Sequence, residues 1–188
     1  DKKKCCWSLS ATRPAWNGMT GNGRASGQWE APLPGVLKLN TDAAFLADTG
    51  RSWARIVARN DKGLVYYSAC KAMNPSKTVE EAEGQAILLG LTALARLYNG
   101  PIMIETDNTL IATELRSNGT CRSECFWIFN EIKNAWHTFS SIQIRTVKRE
   151  QNRLAHELAA RARRYEDRLM IADVPGELRP LMLSECTE

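Results

Sequence analysis

Asp107 stands where an alternating apolar run, IMIET, meets a segment with helical spacing, and Asp42 lies inside another apolar run. A side chain at such a joint points out of the sheet edge beside a helix N-terminus, a usual place for a functional group. Asp is also a favoured N-cap residue, so Asp107 alone could simply cap the helix. Asp42 is more informative, because an ionised side chain is rarely buried without a partner or a metal ion.

A third carboxylate, Glu83, falls in the first turns of the first long predicted helix. It follows Ala82 on the border of the apolar stripe, whereas Glu80 and Glu81 have the positions of solvated residues that favour the helix dipole. A solvated position for Glu83 remains the alternative. The capping interpretation of Asp107 is preferred unless these carboxylates converge on one place.

The predicted strands and helices that would position these carboxylates are recognised by the period of their apolar residues. Three runs with period two, separated by turn residues such as Lys62 and Gly63, predict an antiparallel meander. A helix over 78–98 follows, and Gly100 and Pro101 end it. The remaining segments predict a strand over 101–106, helices over 108–118 and 123–138, a strand over 140–149 and a helix from 151 to 169.

These elements define the fold class: α/β, with the order βββαβααβα and a five-stranded mixed sheet flanked by helices. The predicted organisation is a flexible leader at 1–28, one domain at 29–166 and a partly ordered C-terminal tail at 167–188. With 188 residues, 44% of them hydrophobic, the chain is long enough for one globular core.

Composition and charge narrow the function classes. No stretch approaches a membrane span and no secretion signal is visible, so we expect a nuclear or cytoplasmic protein. The six scattered cysteines predict neither a disulfide framework nor a complete zinc site. A net charge of +4 is compatible with nucleic acid without requiring it.

The order and spacing of several motifs resemble type 1 ribonuclease H domains, in the branch abundant in plants and in retroelement polyproteins. The resemblance covers about residues 29–166. It is carried by Trp29 with PLPGVLKLNTDAAF, then ARNDKG, EEAEGQAILLGL, IETDN and REQNRLAHELA.

This resemblance implies two-metal hydrolysis of the RNA strand of an RNA–DNA hybrid, with two divalent ions, Mg²⁺ or Mn²⁺. By residue-by-residue transfer, Asp42 matches the carboxylate that bridges both ions. Glu83 and Asp107 match its partners at the second ion.

The fourth position departs from the enzyme pattern, which has an Asp four residues after an Asn in the last helix. Counting from Asn152 gives His156. A neutral imidazole contributes no negative charge and suits Mn²⁺, Zn²⁺ or Fe²⁺ better than Mg²⁺. His156 therefore completes the implied catalytic and metal-binding set, and it places in question the ion that activates water, which the fourth carboxylate of the enzyme pattern helps to hold.

Other departures lie nearby. Ala43 and Arg55 stand where the family commonly has Gly, and the loop before the last helix lacks the His that bacterial members use. Lys148 and Arg149 on that loop, together with Asn152, are the candidate nucleic-acid contacts. A lone basic pair on a loop is, however, more often solvated surface.

Two function classes follow. In the first, the chain is a metal-dependent endonuclease acting on RNA–DNA hybrids, with weak activity in Mg²⁺, as in a retroelement. In the second, the same fold is catalytically inactive and binds nucleic acid or a protein partner, for example as an integrated domain of a plant immune receptor. The sequence indicates no oligomeric state.

Overall fold

The computed structural model describes residues 29–117, 124–160, 168–171 and 176–186. These ranges form one mixed sheet with helices on both faces. Its strands are β1 (Leu37–Phe45), β2 (Ser52–Arg59), β3 (Val65–Ala72), β4 (Ile102–Thr106), β5 (Ile142–Thr146) and β6 (Arg168–Ile171). The helices are α1 (Val79–Leu94), α2 (Thr109–Arg116), α3 (Phe126–Trp136), α4 (Arg153–Ala160) and α5 (Arg179–Cys186), with 3₁₀ turns at Arg149–Asn152 and Gly176–Leu178.

The sheet has the strand order β5-β4-β1-β2-β3-β6. The meander β1-β2-β3 is antiparallel, and β4 and β5 continue the sheet parallel to β1. The predicted five-strand arrangement is therefore confirmed. Because β1 and β4 are parallel neighbours, their C-terminal ends meet at one edge of the sheet, which brings Asp42 and Asp107 to the same end.

A sixth strand extends the predicted sheet. Residues Arg168–Ile171 pair antiparallel with Tyr67–Cys70 of β3. The sequence placed 168–169 at the end of a helix and 167–188 in a tail, because four residues are too few for an apolar period to distinguish a strand from a helix. Helix α5 follows in the same range. The predicted leader 1–28 lies outside the described residues.

One face of the sheet carries the main apolar core. Helix α1 packs on β1 and β2, where Leu39, Ile56 and Leu91 are fully buried. Helix α3 approaches α1 closely at Gly84, since a Cβ there would lie 2.7 Å from Cγ2 of Ile128. This close contact fixes the first turns of α1, and Glu83 with them.

The opposite face carries a buried polar network. Trp29 Nε1 donates to Asn40 Oδ1 at 3.1 Å, and Asn40 Nδ2 donates to Glu105 Oε2 at 3.0 Å. Lys38 forms an ion pair with Glu105 at 2.5 Å, and the Arg59 guanidinium lies 3.8 Å from the Trp29 ring centroid. Burial lowers the pKa of Lys38. Alternation places Lys38 and Asn40 on the face of Asp42, but it does not predict this network, which joins β1 with β4 and with Trp29.

Helix α4 covers the same face near the C-terminal half of β1 and packs through a smaller apolar cluster with Val57, Val65, Leu154 and Leu178. This packing brings the last predicted site residue, His156, toward β1. None of the helices within the described ranges is long and apolar enough to cross a membrane.

Candidate active site

Asp42 lies near the end of the central strand β1, on the face covered by α4. Its Oδ1 accepts from the backbone N–H of Ala43 at 2.8 Å, and its side chain is 13% exposed. Burial raises the pKa of Asp42, a hydrogen bond from His156 opposes that rise, and the nearby negative charge of Asp107 adds to it. The carboxylate is therefore held beside a second one with little solvent to separate their charges.

Glu83 projects from α1 toward the same place. Burial raises the pKa of Glu83 to about 7, and the charges of Asp107 and Asp42 contribute in the same direction. Its Oε2 atom is buried and has no hydrogen-bond partner among the described residues. The solvated alternative is therefore wrong: Glu83 is a partly desolvated carboxylate that lies near enough to Asp107 and Asp42 for their charges to affect its pKa.

Asp107 follows β4, but it does not cap the next helix. Asn108 is the N-cap of α2, because its Oδ1 accepts from the backbone N–H groups of Leu110 at 3.0 Å and Ile111 at 3.2 Å. Asp107 is thereby left to face an open cleft of about 280 Å³, lined by Glu83, Asp107, Asn108 and Thr109. Asp107 is therefore a carboxylate at the cleft and not the helix cap that the sequence also allowed.

His156 reaches Asp42 because Asn152 anchors the start of α4. The Asn152 side chain is 1% exposed, and its Nδ2 donates to the backbone carbonyl of Thr41 at 2.8 Å. One helical turn later, Nδ1 of His156 lies 3.0 Å from Oδ2 of Asp42. Asn152 thus ties α4 to β1 from a buried position, which disagrees with the predicted contact between Asn152 and nucleic acid.

The two predicted basic residues precede α4 and are exposed. The Nη2 atom of Arg149 lies 3.2 Å from Nδ1 of His156, the same nitrogen that contacts Asp42. Guanidinium has only donors, so Nδ1 cannot accept from Arg149 while it donates its own proton to Asp42. Lys148 is the N-cap residue of the 3₁₀ turn that begins at Arg149.

A further cation near the carboxylates is Arg55, which pairs in register with Asp42 across β1 and β2. Its side chain is fully buried, and the charge of Asp42 counteracts the lowering of the Arg55 pKa that burial causes. Sequence alternation identifies Arg55 as a same-face neighbour only once the strand register is known. The sequence analysis did not identify Asn108, because Asp107 and Asn108 are adjacent and either residue type can cap a helix.

The carboxylates of this site fit a divalent cation better on one side than on the other. Burial and neighbouring negative charge raise the pKa values of Asp42 and Glu83, and Glu83 has an unpartnered buried oxygen, which suits a hard cation at the Glu83–Asp107 side. The Asp42 side is different, because Nδ1 of His156 is already in contact with the carboxylate. Across the described ranges, no three Asp, Glu, His or Cys side chains are close enough to form a ready-made metal-binding cluster.

Comparison with known proteins agrees with this architecture. The chain is similar to RNase H1 from the halophilic archaeon Halobacterium salinarum, with a TM-score of 0.63 and 20% identity over 69% of this chain and 98% of that one. The chain is also similar to the N-terminal RNase H domain of a Mycobacterium tuberculosis protein, with a TM-score of 0.61 and 18% identity over 68% of this chain and 92% of that one. A third similar structure is LC11-RNase H1 in complex with an RNA/DNA hybrid, with a TM-score of 0.59 and 18% identity over 67% of this chain and 95% of that one. At these identities the likeness establishes the fold.

A search among curated proteins finds no match. The sequence profile of the reverse transcriptase-like family matches residues 40–162, which is more than half of the chain. That range begins in β1, ends just beyond α4, and contains Asp42, Glu83, Asp107 and His156. With its ribonuclease H-like fold, the chain belongs to the reverse transcriptase-like family.

Proposed function

We propose that this chain is a nucleic-acid-binding ribonuclease H-like domain that hydrolyses the RNA strand of RNA–DNA hybrids with the help of a divalent cation. The observation that carries the proposal is the convergence of Asp42, Glu83 and Asp107, from β1, α1 and the end of β4, on one end of the sheet. No structural need explains three neighbouring carboxylates, two of them with raised pKa values, since each destabilises the others.

Asp42, Glu83 and Asp107 would hold the cation, and it would supply a polarised water and charge stabilisation at the phosphate. The chain's own contribution is orientation. Asn152 fixes α4 on β1, and Asn108 closes the start of α2 beside Glu83. These residues fix the elements that carry the acidic groups: Asp42 on β1, Glu83 on α1 and Asp107 in the short connection between β4 and α2.

His156 is expected to weaken this activity in Mg²⁺. In the position of a fourth carboxylate it brings no negative charge, and its Nδ1 contacts Asp42. A nitrogen ligand favours Mn²⁺ over Mg²⁺. We therefore expect hydrolysis to be stronger in Mn²⁺ and the cation nearest His156 to be the more weakly held of two.

Hybrid binding is proposed to involve the loop before α4. Lys148 and Arg149 are exposed there, and Arg149 lies within 3.2 Å of the His156 ring. Cations at this place would meet a phosphate next to the carboxylates. LC11-RNase H1 was solved with an RNA/DNA hybrid, and the shared fold supports the same class of ligand for this chain.

A second candidate function is a catalytically inactive module that binds nucleic acid or protein. The specific observation in its favour is the direct contact of His156 with Asp42, which provides the carboxylate with a partner from the protein itself. In that case the site retains its geometry without holding a cation strongly enough for hydrolysis.

Cleavage of a labelled RNA–DNA hybrid distinguishes the two functions. The wild-type chain, His156→Asp and Asp42→Asn are compared in Mg²⁺ and in Mn²⁺. Cleavage by the wild type and none by Asp42→Asn supports the nuclease. Cleavage by His156→Asp alone supports a fold disabled at one residue. No cleavage by either would contradict the nuclease and leave the binding module.

A further inference from the structure

Asn108 uses the two ends of its side-chain amide for different purposes. The carbonyl oxygen caps α2 by accepting from the backbone N–H groups of Leu110 and Ile111, at 3.0 Å and 3.2 Å. An amide has its donors on the opposite atom, the NH₂ group. The cap therefore occupies the acceptor and turns the donor end away from the helix.

The donor end meets Glu83. The Asn108 side chain is close enough to the Glu83 carboxylate to oppose, as a hydrogen-bonding group, the rise in the pKa of Glu83 that burial causes. Both residues line the same open cleft. One side chain thus connects the first turns of α1 with the N-terminus of α2.

The contact leaves one oxygen of Glu83 without a protein partner. Oε2 is buried and unpartnered among the residues that the structure describes, although a buried carboxylate oxygen normally has a donor. Asp107, the residue before Asn108, lies close enough for its charge to raise the pKa of Glu83. The place is thus built for a positive group that the protein itself does not supply.

We propose that Asn108 is a positioning residue: by capping α2 and holding the carboxylate of Glu83, it orients Glu83 and Asp107 toward a common divalent cation. This rests on the proposed function for the presence of that cation. It adds a residue that acts on the cation through Glu83 and that sets how tightly the cation is held.

The residue type fits this task. Ser, Thr, Asp and Asn are the favoured N-cap residues. Ser and Thr offer only a short hydroxyl, and Asp has no donor and would repel Glu83 when ionised. Asn is the cap residue that combines an acceptor for the helix with an amide donor for a neighbouring carboxylate.

The variant Asn108→Ser separates the two tasks, because Ser retains the cap and removes the amide donor. Binding of Mn²⁺ to the full chain, without nucleic acid, is measured by calorimetry, and thermal unfolding is measured without cation. Asn130→Ser makes the same change at an exposed position of α3 and serves as the matched control. Glu83→Gln serves as the reference for loss of the ligand.

We expect Asn108→Ser to unfold at nearly the wild-type temperature and to bind Mn²⁺ about 10–100-fold more weakly, as is typical for residues that orient a metal ligand. Asn130→Ser should match the wild type in both measurements. Equal Mn²⁺ affinity of Asn108→Ser and the wild type would overturn the proposal, and so would a wild type that binds no Mn²⁺.

The outcomes for Asn108 and for the nuclease remain distinguishable. A chain that binds Mn²⁺ through Glu83 and Asn108 but cleaves no hybrid contradicts the nuclease and supports the role of Asn108. If the chain cleaves hybrid and Asn108→Ser leaves its Mn²⁺ affinity unchanged, only the role of Asn108 is contradicted.

Discussion

Nδ1 of His156 lies 3.0 Å from Oδ2 of Asp42, so the residue in the fourth carboxylate position contacts the first carboxylate directly. The contact depends on α4 being anchored one turn earlier by Asn152. It gives Asp42 a partner within the protein, which a fourth carboxylate could not do. In the proposed function, the affinity of this side of the site for a cation then depends on how readily the contact between His156 and Asp42 is broken.

Replacing His156 with Asp should lower the stability of the cation-free chain and increase its affinity for a divalent cation. Without cation, we expect His156→Asp to lower the free energy of unfolding by about 1–3 kcal/mol, because Asp42 loses its partner and gains a like charge. Mg²⁺ should recover most of that loss and increase hybrid cleavage. Urea unfolding with and without Mg²⁺ measures this. His137→Asp, at the exposed end of α3, is the control, and an equal Mg²⁺ effect there would contradict the prediction.

Glu83 should make the ion-free chain less stable as the pH rises. Its pKa of about 7 lies above the 4.5 of an ordinary Glu, so between those values the folded chain binds more protons than the unfolded chain. The stabilisation is present below the unfolded pKa and is lost as the pH passes through the folded pKa. We expect a loss of about 1–3 kcal/mol between about pH 5 and about pH 8.

Urea unfolding across that pH range, without divalent cation, tests the Glu83 prediction. Glu83→Gln should flatten most of the slope, because it removes the group whose pKa of about 7 produces it. Glu131→Gln changes an exposed residue of α3 and should leave the wild-type slope. A wild type that becomes more stable over this range would refute the prediction.

Asn152 should matter for folding rather than for hybrid contact. Asn152→Ala removes the donor to the buried carbonyl of Thr41, and we expect the free energy of unfolding to fall by about 1–3 kcal/mol. Asn134→Ala, on the exposed side of α3, should change it little. If Asn152→Ala instead weakened hybrid binding with unchanged stability, the sequence-based nucleic-acid role would be correct.

Lys148 should contribute to hybrid affinity through charge. Loss of one phosphate contact lowers the slope of log Kobs against log salt by about 0.7–0.9, so we expect that change for Lys148→Ala. Fluorescence anisotropy at several salt concentrations measures the slope. Lys62→Ala removes an exposed cation from the turn between β2 and β3 and should leave it unaltered. Equal slopes for both variants would place Lys148 outside the binding surface.

The buried ion pair of Lys38 with Glu105 gives a prediction about stability. Glu105→Leu leaves a buried ammonium without its carboxylate, and we expect a loss of about 3–5 kcal/mol. The double variant Lys38→Met, Glu105→Leu should recover much of it, because no unpaired charge remains. Chemical denaturation of both singles and the double completes the cycle. Additive losses would show that the two charges act independently.

The sequence predicts most of the fold because its period changes from two to 3.6 at the right places. The resemblance to ribonuclease H domains implies that Asp42 and Asp107 belong to one site, and the parallel pairing of β1 with β4 explains why they lie at the same end of the sheet. The sequence does not predict the buried ion pair between Lys38 and Glu105, because alternation assigns side chains to a face without showing which residues of neighbouring strands meet. It does not identify Asn108 as the cap, because Asp and Asn are equally good cap residues.

Strand β6 has a consequence for how the domain behaves in concentrated solution. The pairing of Arg168–Ile171 with β3 occupies backbone groups that would otherwise lie at the edge of the sheet. A chain ended at residue 166 would leave Tyr67–Cys70 as an open, largely apolar edge, which is a template for pairing with another chain. Such a shortened chain should self-associate through strand addition, even though every candidate active-site residue lies before its end.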